Sequence, residues 1–256
     1  MNNDPHFFSW DDRRDIAHPG NTSQTLEFSV EHFINCGKEA IKTHGFFAVA
    51  LSGGSTPKKI FEELSSPAYS GELDWSKVYL FWSDERSCAP TDPESNFRMA
   101  MDAGLKTLSI PPEHILRMQA EENIEENAKN YQLKIKEVLG SRPFDLIMLG
   151  MGEDGHTASL FPGTKALEDK TSLVVANEVP QKKTWRMTMT TLCINSARNI
   201  SIYVMGKSKT EAVERAFLET PSTPYPVSLI GTHANKALWV LDDEAVEPLI
   251  KSRERS

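Results

Sequence analysis

The sequence predicts an α/β fold in which helices flank a mostly parallel central β-sheet. The main evidence is a set of three short apolar runs, each followed by a glycine-rich or polar loop, at residues 46–51, 78–82 and 144–149. A continuous apolar run of this length is typical of a strand buried on both faces of a sheet. Segments with helical spacing separate these runs, and such alternation favours a parallel sheet.

The remaining elements continue this alternation along the chain. Apolar residues recur at helical intervals in residues 22–43, 57–64, 95–104 and 121–139. Further strands are predicted near residues 172–176, 200–204 and 237–241. Together these elements predict a Rossmann-like three-layer sandwich, in which a ligand binds beyond the carboxyl ends of the strands.

Composition limits the classes of function. A chain of 256 residues with 39% hydrophobic content can bury a substantial core. We expect a single α/β domain over residues 1–256, with a polar N-terminal arm at 1–20 and a solvated tail at 251–256. The formal charge of −8 disfavours nucleic acid and anionic membranes as partners. No apolar stretch approaches the roughly 18 residues of a membrane span, and no obligate protein partner is indicated.

The cysteines and the N-terminus favour a cytoplasmic location. Cys36, Cys88 and Cys193 lie far apart without a CxxC pair, so neither a disulfide framework nor a zinc site is predicted. The first fifteen residues contain four aspartates where a secretory signal needs a basic start and an apolar run.

The first candidate site is the loop Ser52–Pro57, with the sequence SGGSTP, which joins a buried strand to a helix. We expect Thr56 to cap this helix and Pro57 to occupy its first position. Glycines let backbone N–H groups approach a ligand, and Lys58 and Lys59 in the first turn oppose the helix dipole unless an anion binds there. The loop therefore predicts a phosphate site. The alternative is a tight turn followed by two solvated lysines.

The second candidate is the loop LGMGEDGHTASLFPG at residues 149–163. Its glycines give the backbone freedom to fold under a ligand, and it carries Asp154 and His156. A histidine titrates near neutrality and can accept a proton from water, an effect worth roughly 10²–10⁴-fold in rate. The loop therefore predicts a general base with a carboxylate that orients its ring. The alternative is a histidine that caps a helix or binds backbone.

The third candidate is the acidic and basic segment Asp84-Glu85-Arg86, which ends another buried strand and leads into the helix start PESN. Arg86 presents a fixed fork of donors that can bind a phosphate or a developing oxyanion. Asp84 can bind sugar hydroxyl groups. The alternative is an ion pair on the surface of the loop.

SGGSTP, DER followed by PESN, and LGMGEDGHTASLFPG occur in the order of the 6-phosphogluconolactonase family, which the chain resembles from about residue 24 to 241. The resemblance implies hydrolysis of 6-phosphogluconolactone in the oxidative pentose phosphate pathway, without a metal or cofactor. By position, His156 is the implied general base, with Asp154 beside it and Arg86 near the substrate. The residues implied to face the ligand are Gly53, Gly54, Ser55, Thr56, Asp84 and Gly155.

The resemblance adds two cations. Lys209, at the start of a helix in the segment GKSKT, matches the family's GxxK pattern and is an expected phosphate contact, with Lys207 the weaker candidate. Arg186 matches an arginine that precedes a short strand and is a second expected phosphate contact. A solvated cation is the alternative for each.

The same residues leave two rival functions open. The family belongs to a larger group that includes glucosamine-6-phosphate isomerase/deaminase, whose members carry a glutamate five residues after the matching histidine. This chain has Phe161 there, which favours the lactonase. The other rival is a non-catalytic sugar-phosphate sensor. A serine nucleophile is disfavoured because no GxSxG elbow is present.

Overall fold

The computed structural model describes residues 7–219 and 225–255 of the chain. In these residues the helices are Thr22–His44 (α1), Ser55–Leu64 (α2), Asn96–Asp102 (α3), Ile124–Leu139 (α4), Thr191–Asn195 (α5), Thr210–Leu218 (α6) and Asp243–Arg253 (α7). The strands are Phe7–Ser9 (β1), Arg14–Ala17 (β2), Phe47–Leu51 (β3), Val78–Trp82 (β4), Asp84–Arg86 (β5), Leu146–Leu149 (β6), Val174–Val179 (β7), Thr184–Met189 (β8), Asn199–Val204 (β9) and Ala237–Leu241 (β10). Residues 1–6 of the predicted arm and residue 256 of the predicted tail lie outside the described residues.

The main sheet has seven strands in the order β1-β2-β10-β9-β6-β3-β4. All neighbouring strands in it are parallel except β1, which pairs antiparallel with β2. This confirms the predicted α/β fold with a mostly parallel central sheet flanked by helices. Since β6, β3 and β4 are neighbours, the loops at their carboxyl ends lie side by side at one end of the strands.

The central strands are held by close aromatic packing. Every residue of β3 is fully buried, and Phe33 of α1 meets Phe47 edge to face with ring centroids 5.3 Å apart. Tyr131 of α4 accepts a hydrogen bond from the backbone N–H of Trp82 at 2.9 Å and donates one to the carbonyl of Leu116 at 2.8 Å. These contacts fix the carboxyl end of β4, where a candidate loop begins.

A second sheet of three antiparallel strands, in the order β5-β8-β7, was not predicted. Asp84–Arg86, expected in a loop, is the strand β5, and Arg186, expected before a short strand, lies within β8. The chain passes from β4 to β5 through Ser83, whose carbonyl accepts from the N–H of Met189 at 2.8 Å. This small sheet therefore continues from the edge strand of the main sheet.

The N-terminal segment also differs from the prediction. Residues expected in a polar arm form β1 and β2, and β2 pairs in parallel with β10 in the main sheet. Ile16 and Ala17 are buried there, although they give too short an apolar run to predict a strand. At the other end, α7 continues through Arg253, so the first residues of the expected tail are helical. None of the described helices is long and apolar enough to cross a membrane.

Candidate active site

The three predicted loops and both predicted cations meet at one cavity of about 460 Å³ at the carboxyl edge of the main sheet. This is where a parallel α/β sheet is expected to bind its ligand. The predicted site residues that line the cavity are Gly53, Gly54, Ser55, Thr56, Asp84, Arg86, His156, Arg186 and Lys209. Asp154 and Gly155 are not among the lining residues.

The SGGSTP segment forms the amino-terminal end of α2, but the helix begins earlier than predicted. It starts at Ser55, its N-cap is Gly54 with φ 106°, and no side chain among the described residues caps it. Thr56 is therefore a helical residue rather than the cap, and Pro57 is not at the first position. Gly54 makes the early start possible because its φ lies in the region that suits glycine. The first N–H groups of a helix without a side-chain cap can bind an anion.

The other glycine of this segment permits a close approach of two loops. A Cβ on Gly53 would lie 1.9 Å from Oδ1 of Asn96, the first residue of α3. Lys58 and Lys59, in contrast, are exposed and do not line the cavity. Lys58 lies 3.8 Å from the carboxylate of Glu62. These two lysines therefore match the solvated alternative and give no support to the phosphate site.

His156 and Asp154 form a hydrogen-bonded pair. Nδ1 of His156 lies 2.5 Å from Oδ1 of Asp154, which also accepts from the backbone N–H of His156 at 3.2 Å. Burial raises the pKa of Asp154, but the hydrogen bond and the charge of His156 outweigh it and hold the pKa below its usual value. An ionised carboxylate only accepts hydrogen bonds, so the proton is on Nδ1. When the imidazole is neutral, Nε2 then keeps a lone pair that can take a proton.

Two neighbours fix the imidazole of His156. The ring of Phe161, which is buried, stacks on it with centroids 4.1 Å apart and an interplanar angle of 15°. Gly152 packs against the pair so closely that a Cβ there would lie 2.1 Å from Nδ1 of His156 and 2.7 Å from Oδ1 of Asp154. A side chain at position 152 is therefore incompatible with this geometry.

Gly155, predicted to face the ligand, packs against Tyr225 instead. Its φ is 74°, and a Cβ there would lie 2.2 Å from an atom of the Tyr225 ring. Its carbonyl accepts a hydrogen bond from the N–H of Val227 at 3.0 Å. Gly155 therefore supports the loop through the segment 225–230 and does not line the cavity, contrary to the prediction.

Arg86 and Arg186 face each other across β5 and β8 and both line the cavity. Like charges directly opposite each other in a sheet are unfavourable. Burial, and then the charge of Arg86, lower the pKa of Arg186 below its usual value. Nε of each arginine is buried without a hydrogen-bond partner among the described residues. An anion bound between them would relieve the repulsion and satisfy these donors.

Two lysines add positive charge to the cavity. Nζ of Lys209, a predicted contact, donates to the carbonyl of Met151 at 2.8 Å and so joins its segment to the loop of His156. Lys207, the weaker candidate, does not line the cavity. Lys182 lines it from the turn between β7 and β8 and was not predicted. Its sequence setting resembles that of any solvated lysine, and only the pairing of β7 with β8 brings it to the site.

The acidic residues of β5 are both buried, so neither forms the surface ion pair of the alternative. Arg86 does form one, since its Nη1 lies 3.9 Å from the exposed carboxylate of Glu94. The carboxylate of Asp84 accepts from Oγ of Ser159 at 2.6 Å and from Nδ2 of Asn96 at 3.2 Å. Glu85 accepts from the backbone N–H groups of Asn96 and Phe97 at 2.8 and 2.9 Å, and so holds the start of α3. Burial raises the pKa of Glu85 although these hydrogen bonds oppose the rise.

The charged groups of the cavity suit an anion better than a metal ion. Within residues 7–219 and 225–255, no group of three or more His, Cys, Asp and Glu side chains is arranged to hold a metal. Cys36, Cys88 and Cys193 are free thiols. The arginine and lysine donors described above are the groups that proteins use to bind phosphate.

Several known proteins resemble this chain in sequence and fold. A family model described as glucosamine-6-phosphate isomerases/6-phosphogluconolactonase matches residues 21–239. A protein named 6-phosphogluconolactonase from Chlamydia muridarum is 40% identical over 222 residues, which cover 86% of this chain and 84% of that protein. A protein named probable 6-phosphogluconolactonase 1 from Arabidopsis thaliana is 34% identical, with 91% and 93% covered. The structure of 6-phosphogluconolactonase from Trypanosoma cruzi has a TM-score of 0.80 at 25% identity, with 95% and 99% covered.

The fold, the His–Asp pair and the cationic cavity together define an α/β enzyme. The chain belongs to the family of glucosamine-6-phosphate isomerases and 6-phosphogluconolactonases, and the relatives compared above carry the lactonase name. This confirms the resemblance that the three loop motifs predicted.

Proposed function

We propose that this protein hydrolyses 6-phospho-D-glucono-1,5-lactone to 6-phospho-D-gluconate, a step of the oxidative pentose phosphate pathway, with a histidine base and no metal ion. The names of its relatives suggest the substrate. The observation that carries the proposal is the pair of His156 and Asp154 on a cavity that also holds two opposed arginines. A base and an anion site in one cavity are what hydrolysis of a phosphorylated lactone requires.

The reaction begins when Nε2 of His156 takes a proton from a water molecule as the water oxygen attacks the C1 carbonyl. Asp154 holds the proton on Nδ1 and stabilises the imidazolium that forms. When the tetrahedral intermediate collapses, the bond between C1 and the ring oxygen breaks and the imidazolium returns its proton to that oxygen. The product is a hydroxy acid, which ionises to the carboxylate, so no covalent intermediate is needed.

The substrate is placed by its phosphate. Arg186, Lys209 and the N–H groups at the start of α2 bind the phosphate, and this fixes the distance of the lactone carbonyl from His156. Arg86 either shares the phosphate with Arg186 or stabilises the oxyanion at C1, together with loop N–H groups. The kinetics of Arg86→Gln separate these roles, because a lost phosphate contact raises KM and a lost oxyanion contact lowers kcat.

Phe161 supports hydrolysis over deamination. The deaminases of this group are expected to carry a glutamate at this position as part of their ring-opening machinery, and here a buried aromatic ring stacks on the base instead. Such a ring cannot transfer protons between sugar carbons. Lactone hydrolysis needs only an activated water and a stabilised oxyanion.

The test is hydrolysis of freshly generated 6-phosphogluconolactone by the wild type and by His156→Ala, each compared with the spontaneous rate. Circular dichroism and the melting temperature establish that the variant is folded. We expect fast turnover by the wild type and a loss of about 10²–10⁴-fold in kcat in the variant. Wild-type protein that binds 6-phosphogluconate but does not exceed the blank would indicate a sensor. Ammonia released from glucosamine 6-phosphate would indicate a deaminase.

A further inference from the structure

A buried cluster of polar side chains joins the three loops that form the cavity. Within it Asp84 joins Ser159 to Asn96, and every member is at most 6% exposed. We call this set the Asp84 cluster: Asp84, Asn96, Ser159, Asn177 and Thr188. A buried polar network in which each member has a partner rigidifies the groups that it joins.

The cluster fixes Ser159 through one hydrogen bond with a residue of each strand of the small sheet. Its Oγ donates to Oδ2 of Asp84 in β5 at 2.6 Å. Its backbone N–H donates to Oγ1 of Thr188 in β8 at 3.1 Å, and its carbonyl accepts from Nδ2 of Asn177 in β7 at 2.9 Å. All three polar groups of this residue are therefore held by protein partners.

Ser159 is joined to His156 by a tight and unfavourable turn. Ala158, between them, has φ 47°, a left-handed conformation that non-glycine residues avoid unless their surroundings impose it. The turn is closed by a hydrogen bond from the N–H of Leu160 to the carbonyl of Thr157 at 2.9 Å. Because this turn has little freedom, a movement of Ser159 displaces the backbone that carries His156.

The cluster also contacts the SGGSTP loop. Nδ2 of Asn96 donates to the carbonyl of Asp84 at 3.0 Å as well as to its carboxylate. The other end of the same amide packs on Gly53, where a Cβ would lie 1.9 Å from Oδ1. Asn96 thus sets the distance between the SGGSTP loop and β5.

We propose that Asp84 is a positioning residue that aligns the base with the phosphate site through Ser159 and Asn96. The sequence suggested that Asp84 binds sugar hydroxyls. In the structure its carboxylate oxygens accept hydrogen bonds from those two side chains, which supports the positioning role. This inference rests on the proposed lactone hydrolysis. It adds a positioning role for a residue that the sequence assigned only to substrate binding.

A double-mutant cycle tests the proposal. We expect Asp84→Ala and Ser159→Ala each to lower kcat by about 10- to 100-fold, with a smaller change in KM, because the base is displaced while the phosphate donors remain. The double variant should lose no more than the worse single variant, since both remove the same connection. If Asp84 contacts the substrate independently, the two losses multiply, and the proposal is wrong.

Two further variants guard against a general loss of stability. Asp84→Asn can still hydrogen-bond Ser159 and Asn96, so it should recover most of the kcat lost in Asp84→Ala. If the reaction needs the negative charge of Asp84, Asp84→Asn would lose as much kcat as Asp84→Ala. Ser29→Ala removes a buried hydroxyl that donates to Thr25 in α1 at 2.6 Å, and it should keep the wild-type kcat. An equal loss in Ser29→Ala would overturn the proposal.

The imidazole ¹⁵N resonances of His156 give a readout that needs no turnover. Both alanine variants should shift these resonances in the same way, and Asp84→Asn should shift them less. If the wild type does not hydrolyse the lactone but the resonances behave as expected, the proposed function fails and the positioning role stands. If the wild type is active and the resonances do not move, the positioning role fails alone.

Discussion

The close packing of Gly152 against His156 and Asp154 gives a quantitative expectation for one substitution. In Gly152→Ala the new Cβ would lie 2.1 Å from Nδ1 and 2.2 Å from Cε1 of His156, and 2.7 Å from Oδ1 of Asp154. Carbon atoms in favourable contact lie about 3.5–4.0 Å apart. The imidazole therefore has to move by about 1 Å or more, or the hydrogen-bonded pair has to separate.

Either movement should lower kcat. A displacement of about 1 Å at a catalytic group costs about 10²-fold in rate, and complete loss of a general base costs about 10²–10⁴-fold. We expect Gly152→Ala to lower kcat by at least about 10²-fold, or about 2.7 kcal/mol of transition-state stabilisation. KM should change little, because Arg86 and Arg186 lie on the small sheet and are not displaced.

The assay is the initial rate of hydrolysis of fresh lactone after subtraction of the spontaneous rate. Gly71→Ala is the matched control, since a Cβ at Gly71 meets no atom of the described residues within 4 Å and Gly71 does not line the cavity. The control should keep the wild-type kcat and melting temperature. If folded Gly152→Ala keeps its kcat within about threefold of the wild type, the pair of His156 and Asp154 does not act in this geometry.

Two other expectations concern the ring under the base and a nearby thiol. Stacked aromatic pairs are worth about 0.5–1.5 kcal/mol, so Phe161→Leu should lower kcat by about 2- to 13-fold. Phe33→Leu, in the buried core away from the cavity, should leave kcat unchanged. An equal loss of kcat in both variants would contradict the role of the stacked ring. Burial and the charges of Glu85 and Asp92 raise the pKa of Cys88 from 9.0 to about 11, which leaves about a hundredfold less thiolate at pH 8. Reaction with Ellman's reagent should accelerate above pH 9 and disappear in Cys88→Ser, and fast labelling at pH 8 would refute the shift.

The main sheet was predictable because its central strands leave a strong signal. β3, β4 and β6 are buried on both faces, so their sequences are apolar throughout, and the chemistry of the site follows each strand directly. The position of His156, Arg86 and the SGGSTP loop at one cavity could therefore be predicted from sequence alone. The helix start at Ser55 was missed because Gly54 occupies the N-cap position that Thr56 was expected to take.

The small sheet was not predictable for the opposite reason. β5 has only three residues, all of them charged, and its partner β8 lies a hundred positions further along the chain. Nothing in the local sequence marks such a pairing, because strand patterns report burial and not partners. The opposition of Arg86 and Arg186, the approach of Lys182 and the buried state of Asp84 all depend on it.

The two sheets consequently contribute differently to the candidate site. The main sheet brings His156 and the SGGSTP loop to one end of the sheet, but each loop leaves its strand through glycines that allow many conformations. The small sheet removes that freedom, since Asp84, Asn177 and Thr188 hold Ser159 and the opposed arginines face the same cavity. Asn177 and Thr188, which carry no catalytic chemistry, thus belong to the structure that sets the geometry of His156.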